Sequence, residues 1–288
     1  MSEPDRRERH LWNGNTSRSD GPGSSGHWLN ANADLERIDA ELLVAHVLDR
    51  SRAQVLAFPE QALTGAQAAR LDRLAERRRG REPLAYILGS KEFFGLDFRV
   101  GEEVLVPRPE TELAVELALS LAPRNARVAD LGTGCGCIAV ALKVHRPDCR
   151  VVATDASFAA LRTAAENAAA NGAAIDFARG DWLECLRGPF DCIVANPPYV
   201  AEYDPALAAL RSEPRPALVA GADGLRAIRR IAGQAPGRLA KDGCLILEHG
   251  CGQAPAVRES LAVAGFRKIE THRDLAGLER TTVAFLAG

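Results

Sequence analysis

Arg127-Val128-Ala129-Asp130-Leu131-Gly132-Thr133-Gly134-Cys135-Gly136 is a run of strand-forming residues that breaks on three alternating glycines. A strand that ends on such a turn and leads into a helix is the opening unit of a doubly wound α/β sheet. Glycines there permit a tight turn and let a ligand approach the backbone without meeting a Cβ. A dinucleotide fingerprint would place its last glycine where this chain has Cys137, so the loop follows a GxGxG pattern rather than GxGxxG.

Outward from this loop, strands and helices alternate. Strand-like segments are expected at Arg127–Leu131, Arg150–Asp155, Ile175–Arg179, Phe190–Asn196, Cys244–His249, Arg267–Thr271 and Thr282–Leu286. Helices fill the intervals, most clearly Ala159–Asn171 and Leu225–Leu239. This spacing predicts a mostly parallel, doubly wound sheet over residues 107–288. The last two strand-like segments are too close for a helical crossover and are expected to pair antiparallel.

The chain before this sheet divides into three stretches. Residues 1–33 are polar, without apolar periodicity, and are expected to form a disordered tail. Residues 34–88 are expected to form a small helical domain. In it Leu35, Ile38, Leu42, Leu43 and Val47 recur at helical spacing, with Asp34 as N-cap and Asp39 and Glu41 on the polar side. Thr64 opens a second helix that ends in Arg77-Arg78-Arg79 and Gly80. Cations in a last turn offset the helix dipole, and a nucleic-acid or ribosome contact is the alternative use of the run. Residues 89–106 alternate β-formers around two glycines and are expected to form a β-hairpin linker.

The full sequence of 288 residues has a formal net charge of −2, which argues against an enzyme that grips long nucleic acid through many phosphates. No apolar run approaches a membrane span and no secretory leader is evident, so a cytoplasmic location is expected. The seven cysteines form no CxxC pair. A set of Cys135, Cys137, His249 and Cys251 matches no zinc module, and no metal site is assigned.

Three further features carry chemistry. Asp155 ends the strand after the glycine loop, where a carboxylate can accept hydrogen bonds from ribose hydroxyls or cap the next helix. Trp182, after the third strand, can lie against an adenine ring or simply fill the core. Asn196-Pro197-Pro198-Tyr199 follows the apolar strand from Phe190, at the end of a strand where open sheets bind ligands. Its prolines stiffen the turn and donate no backbone hydrogen bond, and Asn196 adds a side-chain carbonyl. Rigid acceptors suit an NH2 group, and Tyr199 offers a flat face to a planar amide or base. The motif alone leaves amide and adenine open. No His, Cys or Lys in it supplies a strong base, which fits direct transfer from an already activated donor.

With these residues in place the chain resembles the PrmC/HemK family of N5-glutamine methyltransferases. The resemblance runs from Asp34 to the C-terminus. It rests on residues 105–112, 130–134 and 196–199, together with Glu213-Pro214, Ala217-Leu218, residues 221–225 and Leu247-Glu248-His249-Gly250. It implies a seven-stranded class I (Rossmann-like) methyltransferase sheet with a small N-terminal helical domain, and S-adenosyl-L-methionine as methyl donor. The implied acceptor is the glutamine of the Gly-Gly-Gln motif in class I peptide chain release factors. The resemblance carries cofactor contacts onto Gly132, Thr133, Gly134, Cys135, Gly136, Asp155, Trp182 and Asn196. It carries acceptor contacts onto Asn196, Pro197, Pro198 and Tyr199, with Asn196, Pro197 and Tyr199 in the catalytic role. Cys135 departs from the Thr or Ser usual in the family. A monomer that holds no stable nucleic acid and no membrane is expected. The rival acceptors are a glutamine of a ribosomal protein and adenine N6 of a nucleic acid, the latter opposed by the missing target-recognition domain.

Overall fold

A computed structural model describes residues 23–286, which fall into two compact units divided between Gly80 and Arg81. The first unit is helical: α1 Ser25–Ala31, α2 Arg37–Leu48, α3 Arg52–Ala57 and α4 Gly65–Arg79. Ser51 and Thr64 each open a helix with a reciprocal capping box, Ser51 with Gln54 and Thr64 with Gln67. Three expectations need correcting here. The stretch 1–33 is not wholly a tail, because α1 lies within it. Trp28 and Leu29, the apolar pair in that polar run, are buried, and Trp28 Nε1 donates to Asp72 at 2.9 Å. The expected tail over residues 1–22 lies outside the described residues. Asp34 is not the N-cap of α2. Glu36 stands there without a side-chain cap, and Asp34 binds Arg79 instead.

The third correction concerns the polar face of α2, which is turned inward. Glu41 and Asp39 are buried while Ile38 is 48% exposed. Glu41 can be buried because each carboxylate oxygen takes one guanidinium, Arg37 and Arg52, both at 2.7 Å. Asp39 takes Arg78 at 2.6 Å. Arg79 holds Asp34 and Glu76, so Arg78 and Arg79 of the basic run at the end of α4 are engaged in ion pairs within this unit.

The second unit opens with α5 Leu84–Leu88, which the expected boundary at residue 88 had assigned to the helical domain. The hairpin β1 Ser90–Phe93 and β2 Leu96–Arg99 follows, as the alternation predicted. It is built into the unit's core rather than left as a connector. Phe93 and Phe98 are fully buried in an edge-to-face pair. Phe94 N donates to Glu112, and Asn167 bonds both the N–H and the carbonyl of Arg99.

The remaining elements are α6 Glu112–Leu121, β3 Arg127–Leu131, α7 Cys137–His145, β4 Arg150–Asp155, α8 Phe158–Ala170, β5 Asp176–Arg179 and β6 Phe190–Ala195. They are followed by α9 Arg226–Gln234, β7 Leu239–Glu248, α10 Ala254–Val263, β8 Phe266–Arg273 and β9 Glu279–Leu286. The sheet order is β5-β4-β3-β6-β7-β9-β8. The first five are parallel, and β9 enters antiparallel between β7 and β8, so the last two strands pair as expected. Apolar clusters line both faces, as a doubly wound sheet requires. Strand order reverses between β3 and β6, and the carboxyl ends at such a switch point form the crevice where ligands bind. The glycine loop leaves β3 and Asn196 leaves β6, side by side, since Leu131 and Ala195 are register partners. Among the described residues no helix is long and apolar enough to cross a membrane.

Candidate active site

The loop after β3 is held from below by its own strand. Asp130 is fully buried and accepts from the Thr133 hydroxyl at 2.6 Å, while Thr133 N donates to Thr154 of β4. Burial pushes the Asp130 carboxyl up to about 7, against the opposing pull of that hydroxyl. Gly132 has φ +68°, and a Cβ there would lie 3.0 Å from the Trp182 ring. Both its conformation and its neighbour therefore demand glycine. Gly136, at φ +87°, caps α7, and a Cβ there would meet Ala164 of α8 at 3.1 Å.

A cavity of about 370 Å³ lies over this loop, lined by Gly132, Gly134, Asp155, Trp182, Asn196 and Pro198 among others. Asp155 at the end of β4 accepts from Gly134 N at 3.0 Å and from Ser157 N at 2.8 Å. Each carboxylate oxygen so engaged keeps lone pairs for a second donor. Burial raises the Asp155 carboxyl above its ordinary value, and the two amide donors oppose the rise. Ser157 caps α8 itself, so Asp155 both braces the loop and faces the cavity. Trp182 is half-buried against the core and lines the cavity as well. A smaller space of about 40 Å³ beneath is lined by Thr133 and Cys135. Gly136 lines neither; its place is between α7 and α8.

On the other side of Asn196 is a second chamber of about 190 Å³, lined by Leu105, Arg108, Asn196, Pro197, Tyr199 and Leu218. Leu105, Asn196 and Ala217 face both chambers and form the wall between them. Asn196 Nδ2 donates to Thr111 Oγ1 at 3.0 Å. Among the described residues no hydrogen bond uses Asn196 Oδ1 or the Pro197 carbonyl. Tyr199 is steadied at both ends, its hydroxyl 3.4 Å from Glu248 Oε1 and its carbonyl accepting from Gln253 Nε2 at 2.9 Å. Burial first, and the Glu248 charge second, push the Tyr199 phenol up to about 12.

Several residues that shape the site stand in the sequence only as parts of longer motifs, with no chemistry legible at their positions. Thr111 and Glu248 brace Asn196 and Tyr199 from beneath. Arg108 pairs with the buried Glu213, whose other oxygen accepts from Val106 N, and this ties the segment before α6 to the loop around Pro214–Ala217. The signal was a buried acid, and no single sequence shows which acids are buried.

Residues 111–212 match the family described as Methyltransferase small domain, and residues 29–89 match PrmC N-terminal domain. A release factor glutamine methyltransferase of Bordetella pertussis (strain Tohama I) is 47% identical, over 90% of this chain and 98% of that protein. The protein of the same name from Escherichia coli (strain K12) is 42% identical, over 89% of this chain and 97% of its own. Among solved structures, a methyltransferase from Pyrococcus furiosus aligns with a TM-score of 0.55 at 17% identity, over 73% of this chain and 98% of that one; at that identity the likeness concerns the fold.

Proposed function

The chain belongs to the release factor glutamine methyltransferase family, and from that premise we propose that it methylates the side-chain amide N5 of a release-factor glutamine. The glutamine is that of the Gly-Gly-Gln motif of class I peptide chain release factors, and the donor is S-adenosyl-L-methionine. The observation that carries this reading is Asn196 in the wall between two chambers, with its amide nitrogen committed to Thr111 and its oxygen uncommitted.

The larger chamber fits the donor. Asp155 keeps acceptor capacity for ribose hydroxyls, Trp182 offers a ring face, and Gly134 has open space where a Cβ would stand. When bound, S-adenosylmethionine supplies an electrophilic methyl group on a sulfonium. The chain's own residues position the acceptor. An amide nitrogen is a poor nucleophile because its lone pair is delocalised into the carbonyl. Asn196 Oδ1 and the Pro197 carbonyl, accepting its two hydrogens, fix the nitrogen toward the donor and favour pyramidalisation. Orientation of this kind supplies several kcal/mol. Tyr199 stacks on the amide plane, and with its phenol held up near 12 it stays protonated and does not act as base. Arg108 and Tyr199 are the ionisable groups lining the acceptor chamber among the described residues, so the amide proton leaves to solvent. The helical unit recognises the release factor away from the glutamine loop, and the work is done in the cytoplasm, where release factors act.

Purified protein and methyl-labelled S-adenosylmethionine should label a release factor with an intact Gly-Gly-Gln loop and leave its Gln→Ala variant unlabelled. Equal labelling of both, or label on nucleic acid alone, rejects the reading.

A further inference from the structure

Two motifs of the sequence have no part in the mechanism above, residues 221–225 and Leu247-Glu248-His249-Gly250. The fold brings both to Tyr199, and Gln253 joins them there. Gln253 stands at the N-cap of α10, three residues after Gly250. Its Oε1 accepts from Gly250 N at 2.8 Å, which fixes the amide end for end. That leaves Nε2 to donate to the Tyr199 carbonyl at 2.9 Å and to the Asp223 carbonyl at 3.4 Å. One carboxamide thus spends its acceptor on the turn after β7 and its two N–H groups on two other segments.

The space around this amide has no slack. Gly224 has φ +75°, and a Cβ there would overlap the Tyr199 carbonyl oxygen and lie 2.8 Å from Gln253 Nε2. A Cβ at Gly250 would lie 2.9 Å from Gln253 Oε1 and 3.4 Å from Cδ2 of the Tyr199 ring. The two glycines let both segments close on Tyr199, one against its carbonyl and the other against its ring. Tyr199 and Asp223 also lie just outside the two ends of one excursion of the chain. Val200 N donates to Leu218 O at 2.9 Å and Ala220 N donates to Val200 O at 3.0 Å, so the chain leaves and returns at one place. The excursion supplies Leu210, Ala217 and Leu218 to the acceptor chamber. Of the three residues bonded to the Gln253 side chain, Tyr199 alone lines a ligand chamber, and that chamber is the acceptor's.

We propose that Gln253 is a positioning residue for methyl transfer, whose donor end holds the Tyr199 backbone, and through it the ring, against the acceptor amide. The inference rests on the glutamine-methylating reading given above. Pro197 and Pro198 stiffen the turn before Tyr199, but no proline ring restrains Tyr199 itself. Its side chain has only the 3.4 Å contact of its hydroxyl with Glu248, and the shorter bond is the one from Gln253 to its carbonyl. A glutamine that merely built the turn after β7 would need its accepting end alone. The donating end is the part that reaches the acceptor site.

The test separates the two ends of the amide. Gln253→Glu keeps an acceptor for Gly250 N but, once ionised, has no donor for Tyr199. Gln253→Met removes both ends at similar length. Steady-state methylation of a release factor by the full chain is measured at about pH 8, far above the range in which a carboxylate titrates. The stoichiometry of S-adenosylhomocysteine binding counts folded sites, and melting temperature is recorded alongside. Both variants should lose about tenfold in kcat per folded site, the size of one hydrogen bond lost from a group that orients the reacting amide. KM for the release factor and affinity for S-adenosylhomocysteine should stay within about twofold, since neither chamber loses a lining residue. Gly224→Ala wedges the same carbonyl from its other neighbour with Gln253 in place. It should show the same kcat loss, and it tests the same link should Gln253→Glu not fold. Full kcat per folded site in Gln253→Glu or in Gly224→Ala overturns the proposal. A loss in Gln253→Met alone also overturns it, because that loss traces to the Gly250 contact. So does a loss confined to S-adenosylhomocysteine affinity or melting temperature. If the unsubstituted protein binds S-adenosylhomocysteine yet labels no release factor, the functional reading itself fails, and this proposal falls with it.

Discussion

The turn after β3 and the turn after β6 leave the same edge of the sheet from adjacent parallel strands, yet they are made to opposite rules. The first is glycine-rich; at Gly132, Gly134 and Gly136 the backbone lies in the left-handed region, and in the proposed function this loop meets the donor with backbone and little else. The second holds two prolines, which remove backbone donors, and in the proposed function it meets the acceptor with carbonyl oxygens and the Asn196 and Tyr199 side chains. A donor molecule needs a close-fitting cradle, whereas an unreactive amide needs a directed grip. The contrast implies that activity should depend on side chains in the second turn and on backbone shape in the first.

The largest effect is expected at Asn196. Asn196→Ala removes one of the two proposed acceptors for the substrate N–H groups while leaving the glycine loop alone. Loss of a comparable hydrogen-bonding group aimed at a transition state costs roughly 10²–10³ in kcat. Single-turnover labelling should show that loss, with the dissociation constant for S-adenosylhomocysteine raised by about threefold or less. Near-normal turnover would erase the distinction between the two turns, because the proline turn would then be a scaffold like the other.

Gly132→Ala probes the cradle from its tightest point. A left-handed φ costs a residue with a Cβ about 1–2 kcal/mol, and the new methyl would press on the Trp182 ring at 3.0 Å. Trp182 lines the donor chamber, so the expected result is a donor affinity lowered about tenfold or more. Once the variant is saturated with donor, kcat should recover toward normal. A variant with unchanged affinity would mean that the loop tolerates a side chain and that its glycines serve only the turn.

The opposition between the turns also explains what was legible in the sequence. Gly132, Gly134, Asp155, Trp182 and Asn196 are spread along the chain, yet each stands at or just after a strand end, so the sheet itself gathers them into one chamber. Backbone-dictated positions of this kind announce themselves through glycine, proline and strand periodicity. The antiparallel entry of β9 was legible for a similar reason, as a gap too short for a crossover. What periodicity could not show was where polar groups are buried. In α2 the apolar spacing pointed Ile38 inward and Glu41 outward, and the fold does the reverse, because two arginines from different helices make burial of Glu41 tolerable. Glu248 and Thr111 were hidden in the same way. Their role depends on a strand register and a helix start that meet only in three dimensions.

The smallest effect, and the sharpest discriminator, is expected at Cys135. This residue departs from the Thr or Ser usual in the family, and a hydroxyl at that place would matter if the loop gripped its ligand through side chains. Cys135 is 2% exposed, and its carbonyl accepts from Asn167 Nδ2 at 2.8 Å. The side chain therefore packs beneath the loop, while the backbone gives the loop its shape. A serine is smaller than cysteine by little, so Cys135→Ser should cost no more than the burial of one hydroxyl, about 1–3 kcal/mol of stability. Donor affinity should change by less than about twofold. Isothermal titration with S-adenosylhomocysteine measures this directly. A gain well beyond twofold would show that the loop does use a side-chain hydroxyl. The two turns would then differ in degree rather than in kind, and the cysteine would mark a site where this chain has given up donor affinity.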